Sequence, residues 1–262
     1  MYLKVTDLRI GGKLFFIDGK NEQLNCNLVV HWLSNNQNDR MEEHAVKIIS
    51  IEPVTHNVKH FRVEKPEAYK FTPGQATEVA INKPGWKEER RPFTFTSLNE
   101  WEHLEFTIKI YSDHDGVTNQ LGQLRVGDEL LLHDIWGAIH YKGEGTFIAG
   151  GAGVTPFIAI FRQLQKDKKL GNNKLIFSNK THRDIILKDE FTAMLGDNFI
   201  NTLTQEEVPG YDHHKIDDNY LKQKVGNFKQ EFYICGPDAM ISDVKANLQK
   251  LGASDNLITI EL

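Results

Sequence analysis

The sequence predicts two domains in series, an antiparallel β-barrel followed by an α/β unit on a five-stranded parallel sheet. Three observations carry this. Between Ala45 and about Tyr141, short apolar runs of strand length follow one another with turn residues between them and no helical periodicity. After "KGEGT" the rhythm changes to strand then helix, repeated, which is the pattern of a parallel sheet wound on both faces. A chain of 262 residues with 40% hydrophobic content is also large enough to fill two cores.

The barrel strands read as "AVKIISIEPV", "VKHFRVEKP", "ATEVAIN", "RPFTFTSL", "LEFTIKIYS" and "DELLLHDIW". The parallel strands read as "TFIAG", "KLIFSN", "FINTLTQ", "EFYICG" and "LITIEL", with helices expected near 155–168, 187–195, 216–224 and 237–251. Ahead of the barrel, "YLKVTDLRI", "KLFFID" and "CNLVVHWL" have β character between polar and Gly-rich breaks. The expected boundaries are therefore 1–42 for an N-terminal extension, 43–142 for the barrel and 143–262 for the α/β domain.

Bulk properties exclude several function classes. A formal charge of −5 without a dense basic face argues against nucleic acid as a partner. Two cysteines, Cys26 and Cys235, supply neither a disulfide framework nor the four thiolates of an iron–sulfur cluster. No apolar run approaches the ~18 residues of a membrane span, and the first residues lack the apolar stretch of a signal peptide. The expectation is a soluble, cytoplasmic chain without a membrane or metal site.

The chemistry concentrates at strand ends. "FIAGGAGVTPFIAIF" is a strand, a glycine turn and a helix with Pro156 in its first turn, where a missing N–H costs nothing. Such a helix start offers free N–H groups and a positive dipole end to a phosphate. A tight connection without a ligand is the alternative, and Pro156 stands where the dinucleotide fingerprint has its third glycine. Ligands of open α/β sheets lie outside the carboxyl ends of the strands. The second and fourth strands end in Ser178-Asn179-Lys180-Thr181 and Cys235-Gly236-Pro237, both polar or reactive. In the barrel, Arg91 offers a rigid fork of donors suited to phosphate, with Phe93 and Thr94 as an aromatic face and a hydroxyl. "DGVTNQLG" reads as a turn into a short helix whose amides and Thr118 suit a second phosphate, or as a plain capped turn.

Five segments in order are Arg-Pro-Phe-Thr, Gly-Val-Thr-Asn, "RVGDELLLHDIWG", Gly-Gly-Ala-Gly-Val-Thr-Pro and Cys-Gly-Pro-Asp-Ala-Met. Over residues 43–262 this order resembles the ferredoxin–NADP reductase superfamily. The resemblance implies a six-stranded Greek-key barrel that binds FAD and an α/β domain that binds NADP or NAD. It places Arg91 on a flavin phosphate, Pro92 and Phe93 along the flavin, and Thr94 as a donor toward flavin N5. It places the backbone of Ile108, Lys109 and Ile110 against the ring system, and Gly116, Val117, Thr118 and Asn119 at the FAD pyrophosphate. Gly151, Gly153, Val154 and Thr155 would cradle the nicotinamide dinucleotide, with Ser178, Asn179 and Lys180 on its ribose side. Cys235, Gly236 and Pro237 would border the nicotinamide, with Glu261 as a nearby charge; Thr94, Cys235 and Glu261 are the expected catalytic set.

The chain departs from the family pattern in three ways. Phe93 and Thr94 stand where Tyr and Ser are frequent, Asp238 stands where a second proline is common, and Glu261-Leu262 lacks a terminal aromatic. His56 and His60, four apart, would suit a metal on a helix, but they fall in a strand–turn–strand region and are expected at an exposed surface. Cys26 is expected as a small buried apolar residue.

The resemblance implies an NAD(P)H-dependent flavoprotein reductase that passes electrons to a flavodoxin or ferredoxin. The alternatives are a reductase subunit of a larger complex serving an oxygenase or haem protein, and a non-catalytic flavin-binding regulatory protein. Too few cysteines for an iron–sulfur domain count against the oxygenase reductases that carry one.

Overall fold

The computed structural model describes residues 8–10, 13–15 and 43–261. It divides into two compact units, Met1–Glu42 and Glu43–Leu262. In the first, β1 (Leu8–Ile10) and β2 (Lys13–Phe15) form an antiparallel pair with Ile10 opposite Lys13. The expected third run, "CNLVVHWL" with Cys26, lies outside the described residues.

The second unit begins with six antiparallel strands. These are β3 (His44–Thr55), β4 (Val58–Glu64), β5 (Ala76–Ile81), β6 (Arg91–Thr94), β7 (His103–Lys109) and β8 (Glu129–Trp136). Their order is β6-β5-β8-β3-β4-β7, with the short helix α1 (Val117–Leu121) between β7 and β8. Alternation sets the core, because successive side chains of a strand point to opposite faces. Val46 and Ile48 of β3, Phe61 and Val63 of β4 and Leu130 and Leu132 of β8 meet inside with Phe95 and Phe106. Strand β7 departs from this rule, since its outward residues Glu105 and Thr107 are also buried. The α/β layer covers that face.

This layer carries β9 (Gly145–Gly150), β10 (Lys174–Asn179), β11 (Phe199–Leu203), β12 (Glu231–Cys235) and β13 (Ile258–Ile260) in the order β11-β10-β9-β12-β13, all parallel. Four helices connect them: α2 (Thr155–Lys166), α3 (Lys188–Leu195), α4 (Asp218–Lys224) and α5 (Asp238–Lys250). Phe157, Phe161 and Leu164 of α2 and Phe191 of α3 fill one face of the sheet with Phe147 and Phe177. Tyr220 of α4 and Ile241, Val244 and Leu248 of α5 fill the other with Ile148 and Ile234. The expected two-layer architecture is therefore present, with the sheet wound on both faces. The winding order reverses between β9 and β12, with the connections after β9 running to one side and those to β12 and β13 to the other, which opens a crevice at their carboxyl ends. Among the described residues no helix is long and apolar enough to cross a membrane.

Candidate active site

The barrel closes at one end only. Phe95 bridges Phe106, and the Thr96 amide donates to the Glu105 carbonyl at 2.8 Å. Away from that seam, β6 pairs only with β5, placing Arg91 opposite Val79 and Thr94 opposite Ala76. Ile108 and Lys109 pair only with Lys59 and Val58 of β4, and the Ile110 amide donates to Asn57 at 2.7 Å. One ladder edge of β6 and one of the segment 108–110 are thus unpaired among the described residues. Unmade backbone hydrogen bonds at two opposed edges suit a flat polar guest, which is the fit expected of a flavin.

The expected flavin residues are distributed around this gap. Phe93 is half-buried against the barrel core and Thr94 is half-buried at the strand end, while Arg91 and Pro92 are exposed. The Arg91 guanidinium donates to the Arg90 carbonyl at 2.6 Å and lies 3.6 Å from Glu89. The Ile108 side chain is in the core, so only its backbone can reach a ligand. At the α1 turn, the Gly116 amide is engaged by the His114 carbonyl at 3.0 Å, and Val117 is buried. The Thr118 hydroxyl accepts from the Tyr111 amide at 3.4 Å. Tyr111 escaped the sequence reading. Its ring is 45% exposed beside this turn, with the Lys109 ammonium 5.6 Å from the ring centroid. Only exposure distinguishes it from a core aromatic, and exposure is a property of the fold.

On the α/β side the glycines divide their work. Gly151 has φ +52° and open space where a Cβ would stand, so its backbone faces a ligand unobstructed. A Cβ on Gly153 would instead lie 2.4 Å from the Cys235 carbonyl oxygen, so this glycine allows β9 and β12 to approach at the crevice. Residues Gly151–Val154 form a 3₁₀ turn that runs into α2, and the Thr155 hydroxyl donates to the Ala152 carbonyl at 3.0 Å. Val154 is fully buried.

Ser178 stands opposite Gly150 in the register, and Asn179 follows it. The Asn179 side chain is buried with neither amide atom hydrogen-bonded among the described residues. A buried amide left unmet at a strand's carboxyl end fits a polar guest such as a ribose. Lys180 is exposed next to it, with its carbonyl accepting from the Gln205 amide at 3.0 Å. Glu206 stands nearby, its carboxylate 2.8 Å from the His182 ring.

Burial, and next the Glu261 charge, push the Cys235 thiol up to about 12, so it is a neutral thiol at ordinary pH. The Glu261 carboxylate accepts from the Ala138 and Ile139 amides at 3.1 and 2.9 Å. It therefore ties the end of β13 to the loop after β8. Pro237 precedes the first turn of α5, and Gly236 packs against Gly150 and Met240.

The two halves are joined by continuous contact. Thr94 pairs with Ala76, Gly137 packs on Gln75 and Ala76, and Glu261 reaches Gly137 on one side while its amide donates to the Ile234 carbonyl, next to Cys235, at 3.3 Å on the other. The histidine reading needs one correction. The His56 side chain is 54% exposed, 3.7 Å from Asp184, but that of His60 is only 12% exposed, with Nε2 2.7 Å from Glu105 Oε1. That contact is close without hydrogen-bond alignment. His56 lies in the turn between β3 and β4, whereas His60 stands on β4 opposite the buried Thr107, on the face that the α/β layer covers.

Comparison with known proteins agrees with this geometry. The profile described as "Oxidoreductase FAD-binding domain" matches residues 45–141, and that described as "Oxidoreductase NAD-binding domain" matches residues 147–246. The reductase component of propane 2-monooxygenase from Rhodococcus jostii is 26% identical over 235 residues, covering 83% of this chain and 63% of that protein. The chain thus spans less than two thirds of that relative. NADH-cytochrome b5 reductase 1 from Kluyveromyces lactis is 28% identical over 217 residues, 76% of each protein. A ferredoxin NADP+ reductase from Neisseria gonorrhoeae, solved with FAD and NADP, shares the fold at a TM-score of 0.72 and 21% identity, over 84% of this chain and 98% of that one. Fold and paired sites define an oxidoreductase with an FAD-binding barrel and an NAD-binding α/β domain. Its two domains are those of these two oxidoreductase profiles, and its fold is that of the ferredoxin NADP+ reductase.

Proposed function

We propose that this protein is an NAD(P)H-dependent flavoprotein reductase that delivers electrons to a protein acceptor. The observation that carries the reading is the path Thr94–Ala76–Gly137–Glu261–Ile234, which ends one residue before Cys235 and brings the open edge of the barrel and the crevice of the parallel sheet to one place. A reaction between two bound cofactors needs that proximity. When bound, FAD would take a hydride, two electrons with one proton, from NAD(P)H and release the electrons onward.

The residues of this chain bind and orient. Arg91 and the amides of Val117–Asn119 would hold the flavin phosphates, and the unpaired edges of β6 and 108–110 would meet the ring. Gly151 and the start of α2 would take the dinucleotide pyrophosphate, with Asn179 and Lys180 at the ribose. Thr94 would donate toward the flavin, and Cys235, as a neutral thiol, would fill space against the nicotinamide. Glu261 would hold the loop between the two halves in place.

This reading favours a flavodoxin or ferredoxin as the acceptor and a cytoplasmic location for the chain. A second reading, the reductase component of an oxygenase or haem system, is favoured by the likeness to the propane 2-monooxygenase component. Anaerobic titration of the FAD-loaded protein with NADH and NADPH tests the common core. Stoichiometric bleaching of the yellow colour is expected. An oxidised spectrum that persists under excess of both nucleotides would leave a flavin-binding protein without turnover.

Two variants probe the nicotinamide side. Cys235→Ala should keep fold and FAD content but slow flavin reduction on the order of tenfold, because a cavity appears where the nicotinamide is held at reacting distance. Cys235→Ser should be milder. An unchanged stopped-flow rate in Cys235→Ala would place the nicotinamide elsewhere. Lys180→Ala should raise KM for NADPH several-fold more than for NADH, since a 2′-phosphate is the group that an ammonium beside Asn179 would meet. Equal changes for both nucleotides would remove Lys180 from selectivity.

A further inference from the structure

Arg162 lies on α2, and its side chain is only 10% exposed. Its guanidinium joins three other parts of the unit. Nε and Nη2 donate to the two carboxylate oxygens of Glu190 on α3 at 2.6 and 2.9 Å. Nη1 donates to the Thr96 carbonyl at 2.7 Å and to the Glu105 carboxylate on β7. The Trp101 ring, from the turn between β6 and β7, lies 5.3 Å from the guanidinium carbon. Glu105 is itself held from the barrel side by the Thr96 hydroxyl at 3.1 Å, by His60, and by Arg62 at 3.7 Å.

These partners have consequences for geometry. Arg162 stands about two turns, or ~10 Å, along α2 from Thr155, where the glycine turn enters the helix. Glu105 stands ~10 Å along β7 from Ile108, where the unpaired edge begins. One guanidinium therefore links the helix that carries the dinucleotide cradle to the strand that carries the flavin edge. Other links between these halves are Glu261 on the Ala138 and Ile139 amides, Lys166 on Glu100, and His56 3.7 Å from Asp184. The Lys166 and His56 side chains are exposed, whereas Arg162 and Glu105 are buried, so the Arg162 tie is the one that water does not loosen.

We infer that Arg162 is a positioning residue for the proposed hydride transfer, holding α2 and its dinucleotide cradle in register with β7 of the flavin barrel. The inference rests on the reading of the chain as an NAD(P)H-dependent flavoprotein reductase. Arginine suits this task because its planar fork fixes direction as well as charge, which an ammonium does not. The competing account is that Arg162 only neutralises buried Glu105. The two accounts differ in what a compensated double variant recovers.

The FAD-loaded full chain is compared with R162K, R162Q and R162Q/E105Q. Melting temperature, FAD content, NAD+ and NADP+ dissociation constants, and anaerobic reduction rate at saturating NADH or NADPH are measured. The long-wavelength absorbance of nicotinamide stacked on flavin is followed in the same samples. R162Q/E105Q removes both charges, so its melting temperature should return toward the parent with FAD content and nucleotide affinity within about twofold. Its reduction rate should stay at least tenfold low and its stacking absorbance weak, since displacements near 1 Å cost up to ~100-fold. R162K keeps the charge but loses the fork, so it should show the same deficit, smaller, at a near-parental melting temperature. Recovery of rate and absorbance along with melting temperature in R162Q/E105Q would overturn the inference, as would parental values in R162K should the double variant not fold. A parent protein that NADH and NADPH both fail to bleach would instead sink the functional reading, before any variant is compared.

Discussion

Gly153→Ala is expected to leave a destabilised protein in which reduction by NAD(P)H is nearly abolished. The added methyl would sit 2.4 Å from the Cys235 oxygen, 2.5 Å from its carbonyl carbon and 2.6 Å from the Gly236 Cα. All three are backbone atoms, so no side-chain rotation relieves the clash. Strands β9 and β12 are paired from Gly145–Glu231 to Ala149–Cys235, and the methyl can be accommodated only by parting their carboxyl ends. Overpacking of this kind costs about 1–3 kcal/mol. The functional loss should be larger, because these strand ends carry both the proposed cradle and Cys235, and a shift near 1 Å costs up to ~100-fold in rate. Gly151→Ala is the control. Its methyl enters open space, with only about 1–2 kcal/mol of strain from the positive φ. It should fold and should weaken dinucleotide binding more than it slows reduction at saturation. Thermal melting and stopped-flow reduction of both variants decide the matter; a parental rate in Gly153→Ala would show that the strand ends do not set the geometry.

The difference between these two glycines marks the limit of sequence reading at this site. "GGAG" between an apolar strand and a helix with proline in its first turn is legible as a glycine turn opening a helix, because turn chemistry and helix ends are local. Which glycine faces the ligand and which packs on a strand more than eighty residues away is not local. Strand alternation and the change to a strand–helix rhythm likewise carried both layers, since periodicity survives in sequence. Alternation does not tell what covers β7: Glu105 and Thr107 fall on the face opposite the barrel core, yet both are buried, Glu105 against Arg162 of α2. His60 was misread for the same reason, being on the strand paired with β7. Glu261 was singled out for its charge, but its partners Ala138 and Ile139 follow only from how β13 meets the barrel loop.

Glu105→Gln should cost about 3 kcal/mol of stability at neutral pH, and this difference should vanish in acid. Burial works against the Glu105 charge, but His60 and the Arg162 guanidinium outweigh it and hold the carboxyl at about 2, against 4.5 for an ordinary glutamate. A carboxyl depressed in the folded state stabilises fully above its unfolded pKa, and the contribution is lost as pH falls through the folded value. The window is therefore pH ~4.5 down to ~2, and the shift corresponds to about 3 kcal/mol. Breaking a buried pair by removing one partner gives a similar figure, although Glu190 remains to hold Arg162. Other carboxylates are also held below their ordinary values, among them Asp212, where Lys224 and Tyr220 outweigh burial. The quantity to follow is accordingly the difference between parent and variant. Urea unfolding at a series of pH values should give parallel stabilities above pH ~5, a gap that narrows below it, and near coincidence at pH ~2. A gap that stays constant down to pH 2 would mean that Glu105 does not carry the buried charge that Arg162 answers.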